Sequence, residues 1–164
     1  MNAYRKFGAM IATSTVAMLG LTYLNTYQLD HVFFSETRAY MALVMGATMA
    51  VIMLGFMLHM YPNRRANIGI VAGSLAVFAA ALWLVRSQQT VDDVSYMKAM
   101  IPHHSIAIMT SERAHIRDPR VRKLADGIIE AQVREIAEME QLIGDLSRKP
   151  PRSGSPDLPA RQAK

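Results

Sequence analysis

Charge is missing from three long stretches of this chain and dense in the remainder, and this unevenness limits its possible folds more than any other feature. Arg5, Lys6, Asp30, Glu36, Arg38, Arg64 and Arg65 are the only Lys, Arg, Asp or Glu residues before Arg86, in a 164-residue sequence with 18 basic and 13 acidic side chains. Phe7 to Gln28, Ala39 to Asn63 and Ala66 to Val85 carry none. A helix crossing the hydrocarbon core of a bilayer needs roughly 20 mostly apolar residues, and each window supplies them. The pattern predicts three transmembrane helices, at about 7–29, 39–61 and 66–86. It excludes a single globular core over the whole chain. With 51% hydrophobic residues, it also excludes a wholly disordered chain, which could not bury enough apolar surface.

The flanks of the windows give an orientation. Tyr23, Tyr27, Tyr40, Tyr61 and Trp83 lie near window ends, where amphipathic rings favour the headgroup region. Arg5 and Lys6 could open a signal peptide, but no A-x-A cleavage site follows, so the first window reads as an uncleaved anchor. Arg5 with Lys6, and Arg64 with Arg65, place the N-terminus and the second turn in the cytoplasm by the positive-inside rule. Three spans then put everything after Arg86 outside, in the periplasm or its equivalent, as part of a multi-pass cell-membrane protein. The net charge of +5 is spread over both halves, so no basic face for nucleic acid stands out. The absence of cysteine excludes disulfides and thiolate metal sites.

From about residue 90 the pattern becomes that of a soluble amphipathic helix pair, predicted over 90–147 and followed by a disordered tail at 148–164 rich in Pro, Ser and Gly. Thr90-Val91-Asp92-Asp93 has the form of a capping box, and the first helix is predicted to reach about His115. Asp118 caps the second helix and Pro119 opens it, where the missing N–H costs nothing. Val121, Leu124, Ala125, Ile128, Ile129, Ile136, Met139 and Leu142 give this helix an apolar face. Pro102, inside the first helix, deletes one hydrogen bond and frees the carbonyl of Lys98. A helix break at a domain edge and a bend that aims the neighbouring imidazoles both fit it.

At about 100° per residue, Met97, Met100, His104, Ile108, Ser111 and His115 share one stripe of the first helix. His103 and Met109 lie off it. Antiparallel pairing about the Arg117–Asp118 turn sets position 104 opposite Gln132, position 100 opposite Ile136 beside Glu135, and Met97 opposite Met139. Polar groups on such a face are costly unless paired or bound to something. Thioether with imidazole suits Cu(I), whereas Ca and Mg take oxygen ligands. Packing alone also accounts for individual methionines, which commonly fill gaps in helical cores, and Gln132 could simply bond His104.

The stretch Met97-Lys-Ala-Met100-Ile-Pro-His-His104, then Ala107-Ile-Met109, Leu124-Ala, Ile128-Ile129, Gln132, Glu135-Ile136 and Met139, resembles the bacterial family known as domain of unknown function 305, a ferritin-like helical group. The resemblance spans about Val91 to Ile143. Members are typically exported, and some are implicated in copper binding and copper resistance. The resemblance therefore implies Met97, Met100, His103, His104, Met109 and Met139 as candidate Cu(I) ligands, with Gln132 and Glu135 orienting them. It also implies a four-helix bundle. Only one helix pair follows the spans, so a bundle needs a second copy or another partner.

The expected protein is all-α: three transmembrane helices, then an extracytoplasmic helix pair that binds Cu(I) for copper homeostasis or tolerance. Its expected partners are the lipid bilayer and a second copy of itself. No nucleophile–base pair, nucleotide loop or pump motif is evident, so an enzyme is not expected. Two other readings remain: a membrane-anchored oligomerisation module without metal, and a di-iron oxidase built on the E-x-x-H at Glu112 and His115. Met41, Met45, Met49, Met53 and Met57 form a slanted ridge on the second span, read as apolar filling in lipid. His31 reads as an exposed loop residue.

Overall fold

A computed structural model describes residues 3–152 and 154–161. Five α-helices account for its regular structure: α1 Ala3–Leu21, α2 Glu36–Phe56, α3 Arg64–Ser87, α4 Asp93–Arg113 and α5 Pro119–Arg148. Single 3-10 turns lie at Leu29–His31 and Leu58–Met60, and no strand occurs among the described residues. The chain is all-helical, as expected.

Helix boundaries follow local chemistry. Ser35 caps α2 by accepting the Arg38 N–H, and Asn63 caps α3 by accepting that of Ala66. Asp118 accepts the N–H of Arg120 ahead of Pro119 at the start of α5, satisfying a donor that the first turn leaves unpaired. α3 ends at Gln88, whose φ of 54° is left-handed. The α4 cap differs from the capping-box expectation. Asp92, not Thr90, receives the Ser95 N–H at 2.7 Å, and that bond holds the Asp92 carboxyl below its ordinary pKa. Thr90 instead shares a 2.9 Å hydrogen bond with the Tyr40 hydroxyl. α5 continues to Arg148, and residues 150–152 and 154–161 have no helix.

Two helices, α2 and α3, are long and apolar enough to cross a membrane, which corrects the expectation of three. The first charge-free window is not helical throughout, because α1 stops at Leu21 and the chain turns through Thr22–Asn25. The helix that remains after Lys6 spans about 22 Å at 1.5 Å per residue, short of a ~30 Å hydrocarbon core. Thr13, Ser14 and Thr15 lower its apolarity further. α1 nevertheless lies along α2. Phe7 is buried with Ala50, Leu54 and Tyr61, and Gly46 leaves room for Thr15, whose hydroxyl a Cβ there would strike.

Both ends of this three-helix unit are fastened. At one end the Tyr4 hydroxyl accepts the Asn63 N–H and donates to Asn67 Oδ1. This brings the start of α1, with Arg5 and Lys6, beside the start of α3, with Arg64 and Arg65. At the other end Arg38 donates to the Thr22 carbonyl, and Ser35 N–H donates to the Tyr23 hydroxyl. The methionines of α2 slant as expected: Met41 and Met45 are exposed, while Met53 and Met57 pack beside Phe7 and Leu54.

α4 and α5 pack together around Met97, Ile101, Ile108, Ile136 and Met139. They run antiparallel, since Arg122 near the turn donates to the Ser111 carbonyl while Met97 shares a cluster with Met139. Tyr27 and Phe33, from the α1–α2 loop, complete that core. The loop is tied down at Ser105, which is fully buried. Ser105 Oγ accepts the Tyr27 N–H at 2.8 Å and lies 3.0 Å from His31 Nδ1. His31 is therefore buried against α4 and is not the exposed loop residue the sequence suggests. Its sequence neighbours give no sign of this, because its partner lies 74 residues away.

Candidate metal-binding cleft

A cleft of about 430 Å³ opens between the first half of α4 and the second half of α5. Met97, Met100 and His104 line it from one stripe of α4, and Glu135, Glu138, Met139 and Leu142 line it from α5. Asp93 and Tyr96 complete the wall. Spacings of three and four residues hold each set on one helical face. Met97 and Met139 are buried in the shared core, whereas Met100 is half-buried at its edge. The cleft also sits near the membrane-type helices, because Thr90, one turn before Asp93, is bonded to Tyr40 at the start of α2.

His104 is the cleft's one nitrogen-bearing ring. Its side chain is 12% exposed, and Nδ1 lies 3.2 Å from Glu135 Oε2. That is close enough for an ion pair, yet Nδ1 is buried and forms no hydrogen bond. The distance alone thus overstates the bond, since a weak interaction at poor angle does not satisfy a buried polar atom. Burial is the main cause of a lowered His104 pKa. The Glu135 carboxylate opposes the shift and His103 adds to it. The ring is accordingly biased towards its neutral form, which presents a lone pair.

The partner of His104 corrects the expected register. Gln132 was expected opposite it, but Glu135 occupies that place, and Gln132 does not line the cleft. The reason is the tilt of side chains towards the N-terminus of their own helix. In an antiparallel pair, His104 leans away from the turn and Glu135 leans towards it, so the two meet about one turn off the backbone register. Met97 and Met139, with long flexible side chains, both reach the shared core and line the same cleft.

Four of the six candidate ligands, Met97, Met100, His104 and Met139, line one cleft; His103 and Met109 do not. His103 is exposed, with its ring centroid 6.2 Å from that of His104, and Met109 is half-buried farther along α4. Asp93, Tyr96 and Glu138 were missed. Asp93 lies one turn before Met97 and Glu138 three residues after Glu135, so the same helical spacing could have found both. Among the described residues no group of three or more His, Asp or Glu side chains is gathered for a metal. The E-x-x-H fares worse. α4 ends at Arg113 and Ala114 is extended, so His115 is not on the helix that carries Glu112. The Glu112 carboxylate acts instead on the Tyr27 phenol, whose pKa it raises, so Glu112 and His115 do not share one helical face as an E-x-x-H pair would.

An all-helical chain with a thioether–imidazole cleft beside two membrane-type helices is thus the class that fold and site define. Residues 84–162 match the family described as a domain of unknown function, DUF305. The chain is also similar to an uncharacterized protein of Acanthamoeba polyphaga mimivirus, with 30% identity over 144 residues, 84% of this chain and 93% of that protein. The chain belongs to the DUF305 family. Its similarity to the viral protein covers more than residues 84–162 and so takes in part of the N-terminal helices. No solved structure matches it.

Proposed function

We propose that this protein is a membrane-anchored binder of Cu(I) that serves copper homeostasis or tolerance and performs no catalysis. One observation carries the reading: the thioethers of Met97, Met100 and Met139 share a cleft with His104, whose buried Nδ1 has no hydrogen bond. A soft monovalent cation fits that donor set, because thioether sulfur and neutral imidazole favour Cu(I) over the oxygen-seeking metals. Bound there, Cu(I) would gain soft ligands on a largely apolar wall. Glu135 would orient the ring, and Asp93 and Glu138 would add negative charge at the margin. Titration of the purified full-length chain with Cu(I) against a competing chelator tests this, and a chain that never competes would overturn it.

The pH dependence should carry the mark of a buried ring. A proton competes with the metal for imidazole nitrogen, while thioethers stay neutral. Because the His104 pKa lies below its ordinary value, affinity should hold as pH falls to about 6.5 and weaken only below that. A loss of affinity already complete above pH 6.5 would contradict the assignment of His104 as ligand.

The same reading places α2 and α3 across the cell membrane, with α1 inserted alongside α2. The end that carries Arg5, Lys6, Arg64 and Arg65 then lies in the cytoplasm, and the α4–α5 pair lies outside. The bonds of Tyr4 to Asn63 and Asn67 support this arrangement by setting both basic pairs at one end. Alkaline phosphatase fused to the C-terminus should be active and a cytoplasmic reporter silent; the reverse would place the cleft inside.

A second reading, self-association with or without metal, is favoured by a separate observation. Val121, Leu124, Ile128, Val133 and Leu142 of α5 are large, apolar and exposed. Two helices of 21 and 30 residues leave this apolar stripe without a partner, and a second copy would complete a four-helix bundle. If the full-length chain fails to compete for Cu(I), this reading is the one that stands.

A further inference from the structure

We propose that the surface between α2 and α3 is a binding groove for one anionic phospholipid, with its phosphate on Arg64. The proposal rests on the reading of these helices as membrane-spanning. The groove has a volume of about 490 Å³ and is walled by Val51, Leu54, Leu58, Val71 and Leu75, with Arg64 at its mouth. Gly55 lines it, and a Cβ there would meet nothing within 4 Å, so the groove is open space at that point. From Arg64 to Leu75 the α3 axis advances about 16 Å at 1.5 Å per residue. This is about half of a ~30 Å hydrocarbon core, the depth of one leaflet. An acyl chain whose headgroup lies level with Arg64 therefore fits the groove along its length.

Charge selects the headgroup. Arg5, Lys6, Arg64 and Arg65 gather at this end of the three-helix unit, while the acidic residues that precede Arg86, Asp30 and Glu36, lie at the other end. None of these four cations takes part in an ion pair among the described residues. Basic residues flanking a span are the ordinary signal for orientation. Arg64 differs from the other three because it closes an apolar groove, so a phosphate on its guanidinium and a chain on Leu54, Val71 and Leu75 belong to one molecule. Basic pockets between transmembrane helices on the cytoplasmic side bind acidic lipid headgroups in the same manner.

Native mass spectrometry of the full-length chain in detergent tests this, with phosphatidylglycerol and phosphatidylcholine of identical acyl chains as probes. The expected result is a single retained phosphatidylglycerol, preferred over phosphatidylcholine. Arg64→Gln should reduce that preference about fivefold, the worth of one cation at an anionic lipid surface. Gly55→Phe, which fills the groove and leaves the charge in place, should lower retention of both lipids. Equal retention of the two lipids by the parent, or an Arg64→Gln variant that keeps the preference, would overturn the groove while α2 and α3 remain spans. Recovery of the chain from the soluble fraction without detergent would overturn both the spans and the groove.

Discussion

Replacing Met100 by Leu together with His104 by Ala should reduce Cu(I) binding below detection in competition with a chelator, and α4 and α5 should stay helical. The effect is large because the pair removes the cleft's one imidazole and the thioether at its edge, leaving Met97 and Met139 buried in the core. The helices should persist because Leu roughly conserves the volume of Met, and because His104 forms no hydrogen bond through Nδ1 whose loss would strand a partner. Circular dichroism beside the titration separates lost ligands from lost structure. Parent-like affinity in the double variant would mean that these methionines serve packing alone.

The second large effect is on stability. Ile101→Ala should lower the unfolding free energy of the α4–α5 unit by about 2–5 kcal/mol, the usual cost of emptying a fully buried aliphatic site. Ile101 is 0% exposed and packs among Met97, Ile108, Ile136 and Met139, beneath Tyr27 and Phe33 of the loop. Those neighbours come from α4, α5 and the α1–α2 loop, so the cavity cannot close by the movement of one element. Since domains are stable by only about 5–15 kcal/mol in total, the thermal transition should fall by many degrees. A shift of only a degree or two would mean that the packing around Ile101 relaxes freely.

Much of this fold was legible because it is written in local periodicity. The break in charge at Arg86 marked the end of the apolar helices, Asp118-Pro119 marked the start of α5, and the 97–100–104 spacing marked the stripe that lines the cleft. The errors arose where distant parts of the chain meet or a helix stops without an apolar signal. α1 ends at Leu21, inside a charge-free window that composition alone extends to Gln28. The opposition of Glu135 to His104 depends on side-chain tilt, which a count of residues from the turn leaves out. The burial of His31 depends on Ser105, on a different helix, and no pattern around either residue announces the contact. Whether a metal binds is not written in spacing at all, because Met at helical intervals serves a core and a soft-metal site equally well.

The tie between the α1–α2 loop and Ser105 bears on how this cleft can be inherited. The seam in composition near residue 89 suggests a module that evolution or an engineer could graft onto any anchor. Such a transplant would carry Met97, Met100, His104 and Met139, but it would leave behind the segment that closes the back of α4. Ser105 would lose the Tyr27 N–H and the His31 ring, and Ile108 and Ile136 would lose the cover of Tyr27 and Phe33. Within this architecture the α1–α2 loop forms one wall of the fold that holds the cleft, so a transplanted α4–α5 pair would need a substitute for that cover.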